Sequence, residues 1–205
     1  MAKINFSNRE LQAIENIQFF VVKKSVTKKI YEQLGKMKSE LSTHPFVKHL
    51  EKELSEKKLG GKISKGENLE GLPFIVLDYP ALFNNDNIFC VRTLFWWGNY
   101  FSLSLIITGE YFNRFEKNIS ENINALKKEK VFLLTTNDIW NNNLKSNDFL
   151  KTKNQKLRLL RKFISKKHTL KISMKIKFDK QDSLVEHSAK FFDLLNTLLF
   201  EKRQD

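Results

Sequence analysis

The chain has 205 residues, 41% of them hydrophobic and 18 of them phenylalanine. That is enough apolar material for one core over residues 1–205 and too much for a disordered chain. Its single cysteine, Cys90, excludes an intrachain disulfide framework and a four-cysteine zinc site. The formal net charge is +13, of which +11 falls between Lys145 and Lys177, where 12 basic residues meet one acid, Asp148. Only six of the 36 basic residues are arginine, a bias that an AT-rich coding sequence also produces, so the distribution of charge says more than its total. The start, MAKINFSNREL, lacks the apolar stretch of a signal peptide, and no run reaches the roughly 18 apolar residues of a membrane span. A soluble, cytoplasmic protein without a transmembrane segment is expected.

In chain order, Ser7 and Glu10 have capping-box spacing, and Phe6 and Leu11 can form a hydrophobic staple. The helix they open carries Leu11, Ile14, Ile17 and Val21, then Val26, Ile30, Leu34, Met37 and Leu41. The stripe shifts phase at Lys23-Lys24-Ser25, where a bend or break is expected. Pro45 suits the first position of a second helix bearing Phe46, Leu50 and Leu54, which Gly60-Gly61 stops. Residues 62–71 read as a loop or edge strand. Phe74 to Leu77 is a short buried strand, ended by Asp78-Tyr79-Pro80 because proline cannot donate to a ladder.

The most apolar stretch follows, and the fold is organised around it. Strands of about 88–97 and 100–108 form a hairpin with Gly98-Asn99 as a two-residue turn. That register puts Trp96, Leu94, Arg92 and Cys90 with Phe101, Leu103, Leu105 and Ile107 on a core face. The other face then holds Trp97, Phe95, Thr93 and Val91 with Tyr100, Ser102, Ser104 and Ile106. A helix after Gly109 carries Phe112, Phe115, Ile119, Ile123 and Leu126; residues 131–134 are a short strand; and 137–147 is asparagine-rich and irregular, with Trp140 as its anchor. A helix is expected over 149–164. Residues 170–178 form the cleanest strand, with Leu170, Ile172, Met174, Ile176 and Phe178 alternating with Lys171, Ser173, Lys175 and Lys177. A final helix opens with Ser183 and Glu186 in capping-box spacing. Strands in succession with helices before and after predict an α+β domain: a mostly antiparallel sheet around the hairpin, with long N- and C-terminal helices packed on it.

No motif announces a reaction. Gly61-Lys62 is followed by Ile63, and Glu56 stands where a phosphate-binding loop needs its first glycine. His44 and His49 lie about 140° apart on a helix, and His168 and His187 stand alone, so no metal site and no cofactor are expected. Cys90 lies mid-strand, where packing is its ordinary role. Asp78 and Glu110 are the acidic candidates; their ordinary roles are a turn and the first turn of a helix, where negative charge is favoured.

Two functional readings remain. The first is a non-enzymatic interaction module whose basic face over 145–177 meets a polyanion, nucleic acid in particular, or an acidic protein. Lys171, Lys175 and Lys177 would project from one strand, and Lys151, Arg158 and Lys162 from one helix. Lysine excess disfavours base-specific bidentate readout. The second is a small-molecule-binding protein or enzyme with a groove on the hairpin near Trp97, Tyr100 and Arg92, with Asp78 and Glu110 at its wall. An arginine on a core face needs a carboxylate, and Asp78, on the same face as Phe74 and Val76, is the first choice.

Overall fold

The computed structural model describes residues 4–54, 59–166 and 168–201. They form an α+β fold built on a seven-stranded antiparallel sheet. The first helices are α1 (Asn8–Glu15), α2 (Ile17–Leu41) and α3 (Pro45–Glu53). Then come β1 (Gly60–Leu69), β2 (Leu72–Asn84), β3 (Asn87–Trp96) and β4 (Tyr100–Thr108). Helices α4 (Gly109–Glu121) and α5 (Ala125–Lys128) lead to β5 (Val131–Leu134), β6 (Phe149–Lys151), α6 (Leu157–Ser165), β7 (Thr169–Ile176) and α7 (Leu184–Phe200). The strand order is β1-β2-β3-β4-β7-β5-β6.

The Ser7–Glu10 capping box is present and opens α1. The helix breaks at Asn16, earlier than the Lys23–Ser25 phase shift suggested. The Asn16 side chain takes the Phe19 amide at 2.9 Å and so caps a new helix, α2, which runs straight through Lys23–Ser25. Pro45 opens α3 as expected, with His44 Nδ1 accepting from the Phe46 amide.

Strand β2 does not end at Asp78-Tyr79-Pro80. The Tyr79–Pro80 peptide is cis, and the register with β3 jumps from Asp78↔Arg92 to Ala81↔Cys90. One extra residue on β2 makes a bulge, the place in a sheet where a missing proline N–H costs no ladder bond.

The hairpin turn holds three residues, not two. Trp96 pairs with Tyr100, Phe95 with Phe101 and Val91 with Leu105. Asn99 N–H donates to the Trp96 carbonyl at 3.0 Å, which closes a four-residue β-turn over 96–99, and Gly98 takes φ 69° at its third position, where glycine is the usual solution. The extra residue slips β4 by one, which exchanges its faces. Leu103 and Leu105 therefore join Phe95, Val91 and Phe89 in the main core. Trp96 and Leu94 lie in a separate cluster with Tyr100 on the opposite face, so the expected grouping of Trp96 and Leu94 with Leu103 and Leu105 is corrected.

Further differences lie toward the C-terminus. Residues 149–151 are strand β6, with Leu150 opposite Leu133, and the helix expected from 149 begins only at Leu157. At the end of the strand the buried Thr152 hydroxyl lies within hydrogen-bond reach of the Leu126 and Val131 carbonyls, with one proton to donate to either. Ser183 does not cap α7, because its hydroxyl donates to the Lys180 carbonyl at 3.0 Å.

Helices α2, α3, α4, α6 and α7 cover one face of the sheet, with Leu34, Phe46, Phe112, Phe191 and Leu195 fully buried there. The other face is covered as well, by the asparagine-rich segment 135–148, under which Ile106, Cys90, Leu94 and Trp96 are buried. Asp78, Arg92, Tyr100 and Lys171 lie on this second face.

Candidate functional site

Small side chains on β4 and β7 make room beneath the 135–148 cover. Ser104 and Ser173 face each other at 2.8 Å between their hydroxyls, leaving space for long polar groups from β3 and β7. Arg92 stands directly opposite Asp78. Its Nε donates to Oδ1 at 2.7 Å and its Nη2 to Oδ2 at 2.8 Å, a bidentate fork with side chains 16% and 13% exposed. This is the pair expected from the sequence. Burial works against the arginine charge, and the bonds and charge of Asp78 outweigh it, so its pKa is raised. Trp140 of the cover lies over the guanidinium, 4.8 Å from ring centroid to Cζ. The Cys90 thiol donates to Asp78 Oδ1 at 3.3 Å. Burial, then the Asp78 charge, holds it well above the ordinary thiol range, which leaves it unreactive as a nucleophile.

Lys171 corrects an expectation. Alternation along the strand sets it facing outward with Lys175 and Lys177, but it is 2% exposed, because that face is covered at its position. Its ammonium donates to the carbonyls of Ile139 (2.9 Å) and Asn141 (2.6 Å) and to Asn142 Oδ1 (3.0 Å). Three acceptors suit the three hydrogens of an ammonium. Burial, and after it the Arg92 charge, oppose that charge and bring its pKa down to about 7. Tyr100 ties the same cover: its hydroxyl donates to the Asn142 carbonyl at 2.9 Å and accepts from the Leu144 amide at 2.8 Å. Lys171 and Tyr100 thus clamp the cover to the sheet. Among the described residues the buried side-chain oxygen without a hydrogen-bond partner is Thr136 Oγ1, in the cover itself.

The residues expected to line a hairpin groove are not gathered into one. Arg92 and Tyr100 face the cover and are closed off by it. Trp97 lies at the turn on the helical side, edge-on to Phe95, beside a groove of 310 Å³ bordered by Phe20, Lys23, Glu67 and Phe74. Glu110 is exposed beyond the end of β4, where its amide donates to Asn87 Oδ1 at 2.9 Å.

A different opening lies where β5, β6 and the end of β7 meet. Strand β5 pairs with both β6 and β7, bringing Lys151 and Phe132 opposite each other and Lys175 and Lys177 alongside. With Lys130, Lys153, Val131 and Asn154 they line a groove of 380 Å³. Among the described residues none of its five lysines forms an ion pair, and no carboxylate borders it. Lys175 lies over the Tyr100 ring at 4.5 Å; partial burial, and then the charges of Lys145 and Lys177, lower its pKa. Of the basic residues expected to act together, Lys151, Lys175 and Lys177 meet here. Arg158 and Lys162 are exposed on α6 and do not border the groove. Sequence reasoning missed Lys130, Phe132 and Lys153; the one signal was the lysine run, Lys127, Lys128 and Lys130, that leads into the 131–134 strand.

Among the described residues no group of three or more His, Cys, Asp and Glu is placed to hold a metal ion. No helix among them is long and apolar enough to cross a membrane. Comparison with protein-family models, with curated proteins and with solved structures finds no match to this chain.

Proposed function

We propose that the protein is a non-enzymatic binding module whose lysine groove takes the phosphate backbone of a single-stranded nucleic acid. The observation that carries this reading is the unneutralised cluster of Lys130, Lys151, Lys153, Lys175 and Lys177 around Phe132. In the other polar cluster every charge is answered: Asp78 by Arg92, and the Lys171 ammonium by three oxygens. In the groove the answering charge must come from outside. Ammonium groups suit phosphates as point charges, without base-specific readout. A half-buried phenylalanine on the floor gives one base a surface to stack on, the combination found where single strands are held without sequence preference.

Phe132→Ala separates this reading from plain charge attraction. Against a mixed-sequence single-stranded oligonucleotide, measured by fluorescence anisotropy, it should weaken binding by about tenfold, the value of one stacked base. Binding to a poly-glutamate chain should change little. Equal losses on both probes, or tighter binding of wild type to the acidic polypeptide than to the oligonucleotide, would point to an acidic protein as the partner and overturn the nucleic-acid reading.

A further inference from the structure

The N-terminal arm carries an apolar surface that its own chain leaves open. Nothing in α1 is buried, and α2 buries side chains only from Ile30 onward, with Val26 partly packed. The first turn of α2 therefore projects past the main core, and the segment 17–25 meets the sheet where Phe20 and Lys23 border the groove by Trp97 and Lys23 pairs with Glu67 at 3.4 Å. Its exposed large hydrophobic residues are Ile17 (72%), Phe19 (51%), Phe20 (51%), Val21 (57%) and Val22 (55%). On a helical wheel they fall at about 0°, 200°, 300°, 40° and 140°, with Gln18 at about 100° and Lys23 and Lys24 at about 240° and 340° between them, so the apolar side chains spread around the helix instead of forming one narrow stripe. Ile4, Phe6, Leu11 and Ile14 extend the surface, and an apolar notch of 410 Å³ sits at the elbow between Ala13, Ile14, Phe19 and Phe20.

We infer that this arm is a self-association surface and that its occupant is the same arm of a second copy of the chain. Area is the first argument. Nine large apolar side chains, each on the order of half exposed, present roughly 700–1,000 Å². That exceeds the largest patch of an ordinary monomer and matches one side of a standard stable interface. Charge is the second. Arg9, Glu10 and Glu15 give α1 one net negative charge, while Lys24, which forms no ion pair among the described residues, follows the apolar stretch beside Lys23, itself paired to Glu67. Two arms antiparallel about a two-fold axis set the acidic end of each against the partner's lysines, the self-complementarity that a two-fold interface demands. A membrane-surface helix would instead want a polar face rich in lysine and arginine, which α1 lacks.

Sedimentation velocity of the full chain at tens of micromolar should give twice the chain mass. Ile17→Asp with Val21→Asp should weaken association by about 30-fold or more, as loss of a hot-spot side chain does, with an unchanged circular dichroism spectrum and unchanged oligonucleotide binding per chain. Should that variant fold poorly, the charge swap decides: Glu15→Lys should weaken the dimer, and Glu15→Lys with Lys24→Glu should restore it. A monomeric wild type overturns the inference, as does a dimer indifferent to both sets of changes. So does a chain that is monomeric in solution and binds phosphatidylcholine–phosphatidylglycerol vesicles through Ile17 and Val21.

Discussion

Asp78 and Arg92 are cross-strand neighbours whose two hydrogen bonds, at 2.7 and 2.8 Å, are made where water scarcely reaches. Such a pair is a liability when halved, because the remaining charge stays buried without an answer. Asp78→Ala should cost about 3–5 kcal/mol in urea melts, and Asp78→Leu combined with Arg92→Met should cost less than that single change. A double variant as damaged as the sum of the two single ones would mean that the pair holds no buried charge together. This pairing was legible in the sequence: parity along 74–78 and 90–96 put both residues on one face, and a core-facing arginine requires a carboxylate. Lys171 was not legible in the same way. Alternation correctly set it opposite Leu170 and Ile172, but whether that side meets water depends on a cover 30 residues away in sequence.

At the scale of the element, that cover is a run of asparagines and turns with little regular structure of its own, held by side chains rather than by a ladder. Lys171 makes its attachment sensitive to pH. With its folded pKa lowered to about 7 from 10.5, the unfolded chain binds the proton between those values and the folded chain does not, so stability rises with pH across that window. The stability of wild type relative to Lys171→Met should therefore grow between pH 7 and 10.5, by at most about 1.4 kcal/mol per pH unit. A difference that is flat or falls over that range would show that the three oxygens keep the ammonium fully charged. The hairpin shows why element identity is easier to read than register. Gly98 can serve the first position of a two-residue turn or the middle of a three-residue one, and the strands flanking it are apolar on both faces. All nine residues of β4 are buried, so hydrophobicity could not say which of them faced the helices.

Across the whole molecule, regional basicity becomes a groove only through long-range pairing. The 145–177 segment supplies Lys151, Lys153, Lys175 and Lys177, but β5 has to lie between β6 and β7 before they enclose Phe132 and gain Lys130. Arg158 and Lys162 belong to the same charged stretch and end up outside the groove, because α6 turns Leu160 and Ile164 into the main core and leaves their neighbours in solvent. A groove that tracks phosphates, as proposed, must bind in a salt-dependent way, which a salt titration measures. Affinity for a mixed-sequence single-stranded oligonucleotide should fall linearly on logarithmic axes, with a slope of about 0.7 per phosphate contacted. Changing Lys151, Lys175 and Lys177 together to glutamine should lower that slope by about 2 without altering the melting curve, since all three are exposed. Wild-type protein that fails to bind at low salt, or a triple variant that keeps the full slope, would contradict the account.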